Sequence, residues 1–118
     1  MRPSGKQKAV PLHIQIKERS HYTEVEIIGD FDIYSANDVK DELGDTCSPN
    51  VVIDLTGVGF IDSTGLGVLV RTYRRQQARS GNLALVIVDE TILRIFQITG
   101  LDRVMKIFKT KKEAILSL

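Results

Sequence analysis

The segment with the most chemical content is Asp62-Ser63-Thr64-Gly65-Leu66-Gly67. Two hydroxyls follow a carboxylate, and two glycines leave the backbone around them bare. If the segment opens a helix, Ser63 falls at the N-cap, where its side-chain oxygen accepts a free backbone N–H. A phosphate on the same oxygen would face the positive end of the helix dipole and be held by free N–H groups without unfolding the domain. Local chemistry leaves both roles open and favours the plain cap. Asp30 and Asp32, in Gly29-Asp30-Phe31-Asp32, form a second carboxylate pair. Two carboxylates alone do not make a metal site, and this pair suits the turn and the entry to a helix.

No catalytic set is complete. Around Ser63 the chain reads Ile61-Asp62-Ser63-Thr64-Gly65, which lacks the first glycine of a nucleophile elbow. The two histidines, His13 and His21, lie on or beside the first hairpin, as core or surface residues. No phosphate-binding P-loop is present. Gly57-Val58-Gly59 and Gly65-Leu66-Gly67 each start a dinucleotide fingerprint, but Asp62 and Val70 stand where its third glycine belongs. Cys47 is the single cysteine, so no disulfide can form within the chain and no cysteine-based metal site is available. The expectation is therefore a protein that is not an enzyme, with no catalytic, cofactor or metal-binding residues.

The elements that must position these residues follow from periodicity. Val10, Leu12, Ile14 and Ile16 alternate with polar neighbours, and Tyr22 to Ile28 alternates again after a turn over residues 18–21. That pattern predicts an antiparallel hairpin. Ser35 is an expected N-cap for a helix carrying Ala36, Val39 and Leu43, with Tyr34 and Val39 at staple positions and Gly44 just past the end. Residues 51–55 read as a central strand covered on both faces, and residues 56–62 as a loop. Leu66, Leu69, Val70 and Tyr73 share one arc of the next helix. Arg71, Arg74, Arg75 and Arg79 lie opposite, as a solvated face.

Residues 83–88 predict a buried strand, and Asp89 caps a helix carrying Ile92, Leu93, Ile95 and Phe96 that Gly100 ends. A third strand is expected over 104–108. Thr110 and Glu113 then form a capping box ahead of Ala114, Ile115 and Leu118. The fold class is α/β: one mixed sheet opening with a hairpin and covered by about four helices, in the order β-β-α-β-α-β-α-β-α. Right-handed crossovers make its later strands mainly parallel. The serine segment then lies beyond the carboxyl end of a buried strand, where such sheets carry function.

Composition narrows the class. The chain has 118 residues, 42% hydrophobic and 26% charged, which is ordinary globular usage and one domain's worth of chain. Residues 1–9 read as a basic tail and residues 10–118 as the domain. Sixteen Lys and Arg against fifteen Asp and Glu leave a net charge of +1, far from a general nucleic-acid binder. Trp is absent, which argues against stacking platforms for single-stranded nucleic acid. No apolar run approaches the ~20 residues that span a bilayer, and the polar N-terminus does not read as a signal peptide. The expected compartment is the cytoplasm, with no nucleic-acid or membrane partner.

Phe60-Ile61-Asp62-Ser63-Thr64-Gly65-Leu66-Gly67-Val68-Leu69 resembles the phosphorylation-site segment of bacterial anti-sigma factor antagonists, single-domain members of the STAS family. Gly29-Asp30-Phe31-Asp32 with Ser35 and Ala36 is similar to the family's turn into its first helix. Val52-Ile53-Asp54-Leu55 is similar to the strand before the site, and residues 95–101 to the end of the third helix. The resemblance implies a partner-switching regulator in stress-responsive transcription. The unmodified form would bind an anti-sigma factor that is also a serine kinase, releasing its sigma factor. Phosphorylation of Ser63 would end binding, and a PP2C-type phosphatase would restore it. The implied contact surface is Asp30, Asp32, Asp62, Ser63, Thr64, Gly65 and Leu66. Asp32 and Asp62 would orient the serine loop or meet the kinase; equally, both serve as turn and cap residues.

Two other classes compete. One is a STAS scaffold subunit of a larger stress-signalling assembly. The other is a phospho-accepting receiver domain with Asp54 as acceptor, which the opening hairpin disfavours.

Overall fold

Alternation along the first two strands decides which side of the sheet is greasy. In β1 (His13–Glu18) Ile14 and Ile16 lean on the core, whereas His13, Gln15 and Lys17 are exposed. In β2 (Thr23–Phe31) Val25 and Ile27 are fully buried on that same side. The computed structural model describes residues 10–46 and 48–118. The expected tail over 1–9 and Cys47 lie outside the described residues. After the hairpin come α1 (Ala36–Gly44), β3 (Asn50–Ile61), α2 (Ser63–Ala78), β4 (Asn82–Val86) and α3 (Glu90–Thr99). A 3-10 turn (Leu101–Arg103), β5 (Lys106–Phe108) and α4 (Lys111–Leu116) complete the chain.

The strands lie in the order β1-β2-β3-β4-β5, with β1 antiparallel to β2 and every later pair parallel. Right-handed crossovers that always step the same way put their helices on one face of the sheet. Accordingly α1, α2 and α3 share one core with the strands: Val39, Leu43, Leu69, Ile92 and Phe96 pack over Ile27, Ile53 and Leu85. Among the described residues only α4 covers the opposite face, where Ala114 sits on Val52, Ala84 and Val86. Residues 51–55 are buried on both sides, as their unbroken apolar run predicts.

Several expected boundaries move. β3 does not end at Leu55; it runs on to Ile61, paired with β2 alone, through two one-residue offsets. The glycines that suggest a loop serve this paired stretch. A Cβ on Gly57 would come within 2.8 Å of Ile28 Cγ1, so the bare backbone admits that side chain. β1 starts at His13 rather than Val10, β4 ends at Val86 rather than Val88, and β5 shrinks to three residues because residues 101–103 coil into a 3-10 turn. Gly44 closes α1 itself, and Asp45 is the C-cap. The buried arc of α2 centres on Gly65, Val68, Leu69, Thr72 and Gln76. Leu66, Val70 and Tyr73 are its half-buried shoulder.

The arginine face of α2 is also only partly solvated. Arg75 Nη2 donates to the Leu43 carbonyl, and Arg79 Nη1 donates to the Thr46 carbonyl at 3.4 Å. Both cations therefore satisfy carbonyls at and just beyond the carboxyl end of α1, which has no basic residue in its own last turn. Gln76, 1% exposed, places its amide nitrogen 3.2, 3.0 and 3.2 Å from the carbonyls of Ser48, Pro49 and Asn82. Three signals hold where they were expected. Asp89 accepts from Thr91 and Ile92, Gly100 ends α3 with φ +77°, and Thr110 accepts from the Glu113 N–H.

Under α4 the sheet buries two carboxylates. Glu24 and Asp54 are nearly inaccessible, and Lys111 reaches them with Nζ 3.3 Å from Glu24 Oε2 and 3.8 Å from Asp54 Oδ2. Burial by itself pulls the lysine's pKa down; the hydrogen bond to Glu24 and the charges of Glu24, Asp54 and Glu26 outweigh it and raise the pKa above 10.5. A raised pKa means that the pairing stabilises the fold fully below about 10.5 and is lost as pH climbs through the folded value. Lys111→Met should therefore cost about 1–2 kcal/mol at pH 7 in urea unfolding. That is less than a fully buried pair, because the lysine side chain is 38% exposed. The gap between variant and wild type should close above pH 10.5; a gap that persists there would show lost packing rather than lost charge.

Candidate functional site

Because β3 outruns β4, the carboxyl ends of β2 and β3 project together as a two-stranded ribbon. Two loops leave its tip, one into α1 and one into α2. The first is built by Asp32, which is buried. Its Oδ1 accepts from the N–H groups of Tyr34 (3.0 Å) and Ser35 (3.2 Å). Ser35 occupies the N-cap position but makes no side-chain cap bond. Its hydroxyl instead donates to the Asp30 carbonyl at 2.9 Å and accepts the Asp32 N–H at 3.1 Å. The expected staple between Tyr34 and Val39 is not formed, since Tyr34 is 86% exposed.

The second loop is built by Asp62. This residue, not Ser63, is the N-cap of α2: its Oδ1 accepts from the Gly65 N–H at 2.9 Å. Its Oδ2 accepts from the Ile33 N–H at 3.0 Å, across to the first loop. One carboxylate thus caps a helix and ties the two loops together. Ser63 becomes the first residue of α2, exposed, and its hydroxyl makes no hydrogen bond to another described residue. Thr64 beside it is exposed as well. The Ser63 and Thr64 N–H groups precede the capped Gly65, so they remain open at the positive end of a 16-residue helix.

The other expected site residues divide by accessibility. Leu66 is half-buried at the rim, and Gly65 is buried. A Cβ on Gly65 would strike the Phe31 carbonyl and come within 3.0 Å of Ile61 Cγ1, so this glycine lets α2 start tight against the ribbon. Gly67 has open space around it. Asp30 Oδ2 accepts from the Val10 N–H at 2.9 Å, which ties Asp30 to the chain entering β1. Sequence reasoning missed Ile33 as a surface residue and misplaced Tyr34. Ile33 is 62% exposed in the loop that Asp62 holds. For Tyr34 a signal was available, since it lies off the arc of Ala36, Val39 and Leu43 that buries α1; Ile33, three residues before Ala36, is in step with that arc and carried none. Among the described residues no group of three or more His, Cys, Asp and Glu is placed to hold a metal ion, and no helix is long and apolar enough to cross a membrane.

A five-stranded mixed sheet with three helices on one face, one on the other, and an uncommitted serine at the start of its second helix defines a narrow class. The STAS domain model matches residues 13–114, and the chain belongs to that family. It is 35% identical over 106 residues to the anti-sigma-B factor antagonist of Listeria monocytogenes, covering 86% of this chain and 93% of that one. Among solved structures, an anti-sigma factor antagonist from Mycobacterium paratuberculosis superimposes with a TM-score of 0.84 at 24% identity, over 91% of this chain and 93% of that one. The Bacillus cell fate determinant SpoIIAA in its phosphorylated form gives a TM-score of 0.70 at 20% identity, over 87% and 96%.

The two glycines of the segment should separate cleanly on substitution. Gly65→Ala forces a methyl against backbone and should lose about 1–3 kcal/mol in urea unfolding. Gly67→Ala enters open space in mid-helix and should gain about 0.5–1 kcal/mol. Equal effects at the two positions would contradict the tight seating of α2 on Phe31.

Proposed function

We propose that this chain is an anti-sigma factor antagonist whose unmodified form binds an anti-sigma factor with serine kinase activity and whose binding ends when Ser63 is phosphorylated. The observation that carries this reading is the separation of cap from switch. Asp62 does the capping, so the Ser63 hydroxyl is exposed and uncommitted at the head of α2. A kinase can reach it, and a phosphate there breaks no hydrogen bond among the described residues. The modified domain stays folded, with the phosphate beside the open N–H groups of the helix. Kinship with the Listeria antagonist supports the partner, and the phosphorylated SpoIIAA shows that a chain of this fold carries such a group.

The contact surface is then Ser63, Thr64 and the rim of Leu66. Asp62, Asp32 and Gly65 set its shape, and Asp30 supports it from the β1 side. A phosphate brings about −1.5 to −2 charges to this surface at pH 7. Swinging an equilibrium from 1:99 to 99:1 needs about 5.5 kcal/mol. Burying a dianion in a packed contact, or setting it against acidic groups, costs several kcal/mol. One phosphate therefore supplies most of the switch. Reversal falls to a PP2C-type phosphatase. The chain works in the cytoplasm, away from nucleic acid and membrane.

The test is capture from native extract followed by titration with the purified partner. Wild type and Ser63→Ala should both bind an ATP-dependent anti-sigma factor. Wild type should take one phosphate at position 63 and Ser63→Ala none. Ser63→Asp should bind about tenfold more weakly, or worse. An unchanged dissociation constant for Ser63→Asp, or recovery of a large STAS assembly alone, would sink the switching scheme in favour of a scaffold role.

A further inference from the structure

Ile33 and Tyr34 break the usual placement of large apolar side chains. They are adjacent, 62% and 86% exposed, and stand on a short loop at the tip of the β2–β3 ribbon. The loop beneath them is held at each amide: Asp62 Oδ2 accepts the Ile33 N–H, and Asp32 Oδ1 accepts the Tyr34 N–H. A rigid loop that presents Ile and Tyr to water costs solubility and adds nothing to the core. Tyr is also among the residue types that dominate binding hot spots. Resting on the proposed function, we infer that Ile33 and Tyr34 are the apolar anchor by which the anti-sigma factor grips this chain, with Ser63 as the switch at the anchor's edge.

Continuity with the switch comes from Asp62. The carboxylate that caps α2 ahead of Ser63 also holds Ile33, so anchor and phosphoacceptor move as one body. The partner's chemistry follows from the other side of the loop. Tyr34 lines a groove of about 350 Å³ that runs beside Val10 and Leu12. Among the described residues the charged lining of that groove is Asp30, Asp32 and Asp38, of which Asp38 is exposed. The matching surface on the anti-sigma factor is an apolar pocket flanked on one side by Lys or Arg. A cation lying there would meet the exposed Asp38 carboxylate and the face of Tyr34. The same arrangement accounts for the force of the phosphate. Set at the margin of an apolar contact, it must be desolvated for the anchor to seat.

An anchor that makes no contact with the reacting hydroxyl contributes equally to ground and transition states, so its loss raises KM and leaves kcat alone. The experiment uses the full chain, magnesium ATP and the anti-sigma factor purified with the wild-type protein. Ile33→Ala and Tyr34→Ala should each raise KM for Ser63 phosphorylation about tenfold, with kcat and the urea midpoint unchanged. Asp38→Lys should raise KM as well and flatten its salt dependence. The chain has no Trp, so Tyr34→Trp adds a single indole whose emission should shift to shorter wavelength in the complex. Wild-type kinetics in both alanine variants with an unshifted indole overturn the anchor while the switch at Ser63 stands. A fall in kcat at constant KM also overturns it, because the loop then positions the serine rather than grips the partner. A wild-type chain that neither binds nor accepts phosphate removes the functional reading and the anchor with it.

Discussion

The strand order constrains nearly everything else in this molecule. A sheet that always steps the same way, with right-handed crossovers, sends α1, α2 and α3 to one face. It also brings the carboxyl ends of β2, β3 and β4 to one edge. The first consequence is a single large core. The second is that both loops of the site emerge side by side, since β2 and β3 are neighbours along their full length. A topology that reversed direction would have split the helices between the faces. It would then have parted the loop carrying Asp32 from the loop carrying Asp62.

The price of that order is a second face that, among the described residues, has only one short helix to cover it. The residues there show how the fold copes. Toward β1 the face is left polar and exposed, with His13, Gln15 and Lys17. Under α4 it carries a small apolar strip together with Glu24 and Asp54. Two carboxylates in that position repel each other and lose hydration, so a cation is required, and Lys111 in the first turn of α4 supplies it. A six-residue helix with so small an apolar footprint is thereby fixed in one orientation. Thr110 holds the start of the helix, where Lys111 sits: its hydroxyl accepts the Glu113 N–H and donates to Glu113 Oε1.

Local signals were legible where one interaction within a few residues decides the structure. Asp89, Gly100 and the Thr110 cap are of that kind, as is the alternation of β2. Legibility failed where a distant partner decides. Residues 56–61 carry two glycines and a threonine, a composition shared by loops and by bulged strands, and only pairing with Ile28 to Phe31 makes them a strand. Asp62 and Ser63 are adjacent and both are good N-caps, so local chemistry cannot rank them. The Ile33 N–H, 29 residues away, supplies the difference: a carboxylate has a second oxygen to offer it and a hydroxyl does not. Arg75 and Arg79 look like solvated helix charges because the carbonyls they satisfy belong to and follow another helix.

That same difference between carboxylate and hydroxyl shapes what the site can do. Had Ser63 been the cap, its oxygen would have been committed to a helix N–H, and a phosphate on it would have had to take over that bond. With Asp62 as the cap, the structural demand and the chemical demand rest on neighbouring residues. Asp62 is tied by two hydrogen bonds and is poorly placed to change. The Ser63 hydroxyl is tied by none among the described residues, so its state can change while the frame around it holds. A surface that gains a charge without moving changes its affinity through the added group itself, by repulsion and desolvation, and needs no second conformation. The tight start of α2 on the Phe31 carbonyl, which Gly65 permits, keeps the serine at a fixed height above the ribbon. It is this rigidity that lets one phosphate act in full on whatever surface packs against the tip.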